Sequence, residues 1–319
     1  MNVIIVGLGS IGMRQARNFR ESGASIVAGV DPSEERRARF DAELGACALA
    51  SLDDALARKA DLAIIASPSA LHVQQALQCV AAGCHLLLEK PIGDSLTGVP
   101  ELIAAIEERR LFAHVSSNFK FHRASPVLRG LLDNGVIGHV TSIQVLAGEW
   151  LPGRHPWEDY RHGYAARRDL GGGIVLDTHE FDYLAWLFGT VERFHGFATR
   201  SGCLEIDTED VACACLHFTS GALATVQIDY IQREYRRRYH ISGDNGTVEW
   251  DFTTGTLAIY DARSQKKEVM DVAEDVNEMY VRQTRHVMES IIAGGRPMTP
   301  VAHAARVLEL QLGIRSSRV

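Results

Sequence analysis

Residues 3–12 run Val3-Ile4-Ile5-Val6-Gly7-Leu8-Gly9-Ser10-Ile11-Gly12. Four apolar, mostly β-branched residues have the length of a buried strand, and the glycines that follow open a helical pattern over Ile11–Arg20. In such a turn the first glycine permits the tight bend, the second lets a pyrophosphate approach the backbone, and the third lets helix pack on strand. The phosphates would sit at the positive end of the helix, bordered by Ser10 and Ile11. Asp31 ends the next strand candidate, 19 residues after Gly12. A carboxylate there accepts hydrogen bonds from an adenosine ribose and repels a 2′-phosphate, so the expected cofactor is NAD, with NADP not excluded. Arg36 and Arg37 stand close enough to soften that preference.

Working outward, strand-like runs at Val3–Val6, Ile26–Val30, Leu62–Ala66, His85–Leu88 and Phe112–Val115 alternate with helical patterns at Glu34–Leu44, Asp53–Arg58, Leu71–Ala82 and Leu102–Arg109. Strict alternation predicts a doubly wound parallel sheet, a Rossmann domain over residues 1–118. From residue 119 to 319 the rhythm changes. Helices are expected at Ala124–Asp133 and Ile174–Leu187 and a strand at Val140–Leu146. An antiparallel meander is expected over Val211–Phe218, Ala222–Ile231, Tyr239–Ser242, Thr247–Phe252 and Thr256–Tyr260, with closing helices at Val276–Ala293 and Val301–Arg315.

Composition narrows the function. The chain has 319 residues, 46% hydrophobic and 23% charged, which fits a two-domain globular protein and not a disordered one. With 33 basic against 40 acidic residues the net charge is −7, so nucleic acid and anionic lipid are not expected partners. Six scattered cysteines without a CxxC pair, and no export signal at the start, point to a reducing cytoplasm. The uncharged stretch Leu62–Leu88 is interrupted by Pro68, His72 and three glutamines and reads as strand, helix, strand, not as a membrane span.

A second group follows the strand His85–Leu88. Glu89-Lys90-Pro91 lies where ligands bind in open α/β sheets, beyond the carboxyl ends of the strands, and a lysine there would favour an alkoxide. Ser67, Pro68 and His72 close the preceding strand and are expected on the cofactor side with Glu89 and Lys90. A third group is Gly171-Gly172-Gly173, Asp177, His179 and Asp182. Ahead of it runs a loop of aromatic and basic residues, including Tyr160, Arg161, Tyr164 and Arg167. Aromatics stack on sugar faces and arginines grip carboxylate or phosphate, which suggests an anionic or nucleotide-linked sugar. Lys120, in Asn118-Phe119-Lys120-Phe121-His122, is a further substrate candidate. Cys213 and Cys215 share one strand face, and core packing is the expected reason, since four tetrahedral zinc ligands cannot be assembled around them. The basic run Arg233–Arg238 reads as a solvated face or a subunit contact. No metal is expected.

Taken together, GLGSIG (7–12), Asp31, ASPSALH (66–72), AAGCHLLLEKP (81–91), NFKFHRA (118–124) and GGGIVLDTHEFDYLAWLFG (171–189) resemble the Gfo/Idh/MocA oxidoreductases, the family of glucose-fructose oxidoreductase and inositol dehydrogenase. The resemblance spans essentially the whole chain. It implies a Rossmann domain followed by an α/β domain on a large, mainly antiparallel open sheet, with a carbohydrate-like substrate between the two domains. It implies hydride transfer between a nicotinamide cofactor and a carbinol or ketone of a sugar, polyol or sugar derivative. His179 matches the family's catalytic histidine by its spacing to Asp182 and Trp186, and an ordinary imidazole pKa of about 6.5 suits a proton acceptor. Lys90 would hydrogen-bond the reacting oxygen. Asp177 stands two residues before His179, where the family commonly has four, so the one-turn relation of the two side chains is lost. Open sheets in the family often pair face to face, implying a homodimer or homotetramer. Two other readings share the fold: a redox-assisted, NAD-dependent glycosidase and a non-catalytic ligand sensor.

Overall fold

The computed structural model describes residues 1–317, so Arg318 and Val319, the end of the second expected domain, lie outside the described residues. The chain forms two compact units. Unit 1 comprises residues 1–118 and 280–308, and unit 2 comprises residues 119–279 with the chain from Glu309 onward.

In unit 1 the strands β1 (Asn2–Val6), β2 (Ser25–Val30), β3 (Ala48–Leu49), β4 (Leu62–Ile65), β5 (His85–Leu88) and β6 (Ala113–Val115) form one sheet in the order β3-β2-β1-β4-β5-β6. Every pairing is parallel. Between the strands lie α1 (Ser10–Glu21), α2 (Glu34–Leu44), α3 (Leu52–Leu56), α4 (His72–Ala81) and α5 (Val99–Arg109). The strand order reverses between β1 and β4, and the crevice at such a switch point is where ligands bind in these sheets. Val3, Ile5, Leu62, Ile64 and Leu87 are fully buried, as strands covered on both faces require, and Val287 from the C-terminal part of unit 1 joins the same cluster.

Unit 2 begins with α6 (Ala124–Asp133) and β7 (Val140–Trp150), followed by α7 (Leu151–Arg154), α8 (Ile174–Asp177) and α9 (Glu180–Phe188). Then come β8 (Val191–Thr199), β9 (Val211–Phe218), β10 (Leu223–Asp229), β11 (Ile231–Gly243), β12 (Gly246–Asp251), β13 (Thr256–Asp261) and β14 (Lys266–Asp271). The eight strands of this unit form one sheet in the order β14-β13-β12-β11-β7-β10-β9-β8. All its pairings are antiparallel except β7 with β10. One face of the sheet meets α9 in an aromatic core: Trp250 and Tyr239 stack at 5.2 Å between centroids, and the buried Tyr183 ring of α9 lies 5.3 Å from Tyr239. The chain ends in α10 (Val276–Ala293) and α11 (Val301–Ser316).

Three expectations from sequence are corrected. The helix expected over Ile174–Leu187 is two helices, because Thr178 is extended (ψ 154°) and the Glu180 carboxylate binds back onto Thr178 and the His179 backbone N–H, starting a new helix. On β9 the buried parity is Ala212, Ala214, Leu216 and Phe218, so Cys213 and Cys215 face outward and do not pack in the core. In the basic run, alternation along β11 separates the arginines as expected, but Arg237 is not solvated: its guanidinium is 2.8 Å from the fully buried carboxylate of Glu180.

Candidate functional site

Unit 1 supplies a cradle at the carboxyl ends of β1, β2, β4 and β5. Gly7 has φ +90°, and a Cβ there would fall 2.5 Å from the Ser67 backbone nitrogen, so the turn closes against the end of β4 only with glycine. A Cβ on Gly12 would fall 1.8 Å from the Gly7 carbonyl oxygen, which is the close approach of helix to strand. At Gly9, the N-cap of α1, an added Cβ meets nothing within 4 Å. That open space lies at a helix N-terminus whose first N–H groups lack helical partners, with Ser10 exposed beside it, and it fits a pyrophosphate.

Asp31 is 3% exposed and stands at the end of β2. Its Oδ2 accepts the Leu8 N–H at 2.9 Å and its Oδ1 accepts the Ser33 N–H at 2.9 Å, leaving lone pairs on both oxygens for ribose hydroxyls. Arg36 approaches Asp31 at 3.7 Å, whereas Arg37 donates to the backbone oxygens of Asp31 and Pro32 at 2.8 Å.

The loops after β4 and β5 are joined by His72, which is 1% exposed with its ring nitrogens 2.8 Å from the Ser67 and Pro91 carbonyl oxygens. Its ring therefore shapes the Ser67-Pro68 and Lys90-Pro91 segments from beneath. Burial lowers its pKa, against the pull of the two carbonyls. The Ser67 hydroxyl donates to Gln75 at 2.5 Å. Glu89 accepts from Gln15 Nε2 at 2.7 Å, and burial raises its carboxyl pKa, which hydrogen bonds from Gln15 and Ser116 only partly counter. Lys90 follows it, half-buried, at the carboxyl end of β5.

In unit 2, Gly173 has no room for a side chain because a Cβ would fall 2.2 Å from Glu209 Oε1, so the glycine run passes close over a buried carboxylate. Asp177 ends α8. Its carboxylate accepts from Arg154 at 2.6 Å and from the Tyr230 hydroxyl at 2.7 Å, and Arg154 also pairs with Glu149. Burial, with the Asp177 charge beside it, raises the Tyr230 phenol well above its ordinary value, so it remains a donor. His179 is the N-cap of α9, its ring 4.9 Å from that of Phe119. One turn on, Asp182 accepts from the buried Lys120 ammonium at 2.8 Å. Burial lowers the Lys120 pKa while Asp182 opposes the shift.

The loop before the glycines is held by its own charges. Arg161 pairs with Asp159 at 3.2 Å and Glu205 at 2.9 Å, Arg167 with Asp169, and Arg168 comes within 3.8 Å of Glu209. The Tyr160 hydroxyl accepts the Glu205 N–H at 3.3 Å, while Tyr164, half-buried, presses its carbonyl on Gly172. Among the described residues no group of three or more His, Cys, Asp or Glu could hold a metal ion, and no helix is long and apolar enough to cross a membrane.

An oxidoreductase family model with an NAD-binding Rossmann fold matches residues 1–117, and the GFO/IDH/MocA C-terminal domain matches residues 127–249. The chain belongs to the Gfo/Idh/MocA family. Its fold of a parallel Rossmann sheet and a large, mostly antiparallel sheet is the family's, and it is an NAD-binding oxidoreductase. It is 24% identical over 315 residues to a myo-inositol 2-dehydrogenase from Thermotoga maritima, covering 93% of this chain and 90% of that protein. It is 25% identical over 308 residues to a 2,7-anhydro-N-acetylneuraminate hydratase from Escherichia coli, covering 93% and 80%. A UDP-N-acetylglucosamine 3-dehydrogenase from Acidithiobacillus ferrooxidans shares the fold, with a TM-score of 0.82, 23% identity, and coverage of 99% of this chain and 96% of that one.

Two groups in this Gfo/Idh/MocA oxidoreductase escaped the sequence reading. In the sequence Glu180 reads as a contact to substrate or water beside His179, and Arg237 as one of a basic run; the structure buries Glu180 and pairs it with Arg237. The available signal was an acid directly followed by Phe181 in a first turn whose buried residues include Tyr183, and a buried acid demands a partner.

Proposed function

We propose that the chain is a dehydrogenase or reductase of an uncharged, carbohydrate-like alcohol or its ketone, with Lys90 and His179 sharing the proton chemistry. The observation that carries the reading is the cradle at β1 and β2, where the Asp31 carboxylate sits on the Leu8 N–H beside the open face of Gly9. Gly7, Gly9, Ser10, Ile11, Gly12, Asp31, Ser67, Pro68 and Glu89 would hold NAD, with His72 supporting the loops. When bound, the cofactor accepts or supplies the hydride. Lys90 would donate a hydrogen bond to the reacting oxygen and stabilise its negative charge. His179 would take the hydroxyl proton in oxidation and return it in reduction. Asp177 would act through Arg154 and Tyr230, which it holds.

An uncharged substrate is favoured over an anionic or nucleotide-linked one because Arg154, Arg161, Arg167 and Arg168 each already face a carboxylate. An anion would have to displace those partners, so Tyr160, Arg161, Tyr164, Arg167, Asp182 and Lys120 would serve substrate binding by shape and neutral hydrogen bonds. The six unpaired cysteines support a reducing cytoplasm. The outward face of the eight-stranded sheet, carrying Phe197, Cys213 and Cys215, supports pairing of two or four copies.

The test is reduced-nicotinamide absorbance after mixing the protein and NAD with myo-inositol, neutral sugars, their sugar acids and nucleotide sugars. A neutral alcohol should turn over, and Lys90→Ala or His179→Ala should each cut the rate by about 10²–10⁴-fold. Binding of NADH, followed by its fluorescence, should stay within about threefold of the parent for both, since neither carries the phosphate cradle. Unchanged turnover in either variant would remove that residue's role. The hydratase relative supports a second reading, in which product forms with no net change in the cofactor, and the same panel followed by product analysis separates the two.

A further inference from the structure

Three hydrogen-bond donors and one guanidinium converge on one buried carboxylate next to His179. Glu180 is 0% exposed. Its Oε1 takes the Arg237 guanidinium at 2.8 Å and the Tyr239 hydroxyl at 3.1 Å. Its Oε2 takes the His179 backbone N–H at 3.0 Å and the Thr178 hydroxyl. The Arg237 guanidinium also lies 4.4 Å over the Phe119 ring, and Phe119 packs against the imidazole of His179.

We propose that the Glu180–Arg237 pair is the positioning device for His179, fixing its backbone through the carboxylate and its ring through Arg237 and Phe119. The inference rests on the reading of His179 as the proton acceptor. A helix start alone does not call for it, because a serine or aspartate at the N-cap satisfies the free N–H groups without burying an ion pair. Stability alone does not either, since well-packed apolar residues in place of a buried pair are commonly as stable. What charges add is direction. A carboxylate that accepts three hydrogen bonds and pairs with a guanidinium holds the start of α9 against β11 in one orientation, and the flat guanidinium sets the plane of the ring on which the imidazole rests. Asp177, two residues before His179, is engaged by Arg154 and Tyr230.

The test is Glu180→Gln combined with Arg237→Met, which removes both charges at similar volume, in the parent and in a His179→Ala background. With the alcohol selected above, kcat should fall about 10²-fold, as misplacement of a catalytic group does, while KM stays within about threefold. In the His179→Ala background the same pair of changes should cost nothing further. Equal losses in both backgrounds would mean a structural role only and would overturn the proposal. If His179→Ala by itself leaves kcat unchanged, the reading of the base has failed, an outcome distinct from a normal His179→Ala loss with no effect of the pair. A readout needing no substrate is the imidazole C–H resonance of His179, assigned by its loss in His179→Asn. It should move in the double variant, and in Arg237→Lys, which keeps the charge and gives up the flat contact with Phe119. A resonance left in place in a folded variant of either kind would overturn the proposal.

Discussion

The Leu8 backbone N–H points into the carboxylate of Asp31 at 2.9 Å, across the gap between the first and second strands of the Rossmann sheet. The glycine-rich turn and the ribose-reading acid are thus one hydrogen-bonded unit. Replacing Asp31 by serine removes the charge that repels a 2′-phosphate and releases Arg36, now 3.7 Å away, to meet one. The ratio of NADPH to NADH affinity, measured by nucleotide fluorescence, should rise by about tenfold to 10²-fold, each tenfold being about 1.4 kcal/mol. An unchanged ratio would show that Asp31 does not read the ribose.

Gly9 and Gly12 separate two roles that a sequence pattern cannot. A Cβ on Gly9 meets nothing, whereas one on Gly12 falls 1.8 Å from the Gly7 carbonyl. Gly9→Ala should leave the fold intact at a cost of about 1 kcal/mol or less as an altered N-cap, yet weaken NADH binding by about tenfold or more, because the methyl occupies the space the pyrophosphate needs. Gly12→Ala should lower thermal stability by several kcal/mol, since helix and strand must part to admit it. Denaturant titrations alongside NADH binding check both. Equal behaviour of the two variants would contradict the geometry.

The contrast also explains what could be read ahead of the structure. In unit 1 the central strands β1, β4 and β5 are buried on both faces and α2 starts at a Ser33 hydroxyl that accepts the Arg36 N–H, so local pattern carried α2 (Glu34–Leu44) and β5 (His85–Leu88) to their observed ends. The two-residue β3 has too few residues to show a period. In unit 2 the strands passed over, β8 and β14, are the two edges of the sheet. Their residues are mostly exposed and lack the alternation that marks a half-buried strand. Apolar periodicity continues from Val175 and Leu176 to Phe181 and Leu184, which hides the break at Thr178. The Glu180–Arg237 pair joins α9 to β11 through the fold, and only three-dimensional proximity reveals it.

Acid sensitivity should reside in unit 1. Burial lowers the pKa of His72, His85 and His286, all in that unit. Two of these rings accept a backbone N–H, His85 from Phe112 at 2.9 Å and His286 from Met298 at 3.2 Å, which an imidazolium has no lone pair to do. With the folded pKa below the unfolded value of about 6.5, the unfolded chain takes up protons first as pH falls. The stability that the neutral His85 and His286 rings contribute is therefore complete above about pH 6.5 and declines below it, by up to about 1.4 kcal/mol per pH unit per histidine. Glu89 works in the opposite sense: burial raises its pKa, so the folded state gains a proton before the unfolded one and offsets part of the loss on acidification. Tryptophan emission cannot follow this, because Trp150, Trp157, Trp186 and Trp250 all lie in unit 2. Amide hydrogen exchange of β1, β4 and β5, corrected for intrinsic rates, should show protection falling from pH 7.5 to 5.5. Replacing His286, the least central of the three, with glutamine should flatten that dependence by about one proton's slope, and protection that stays level in the parent would mean these rings are not held neutral by the fold.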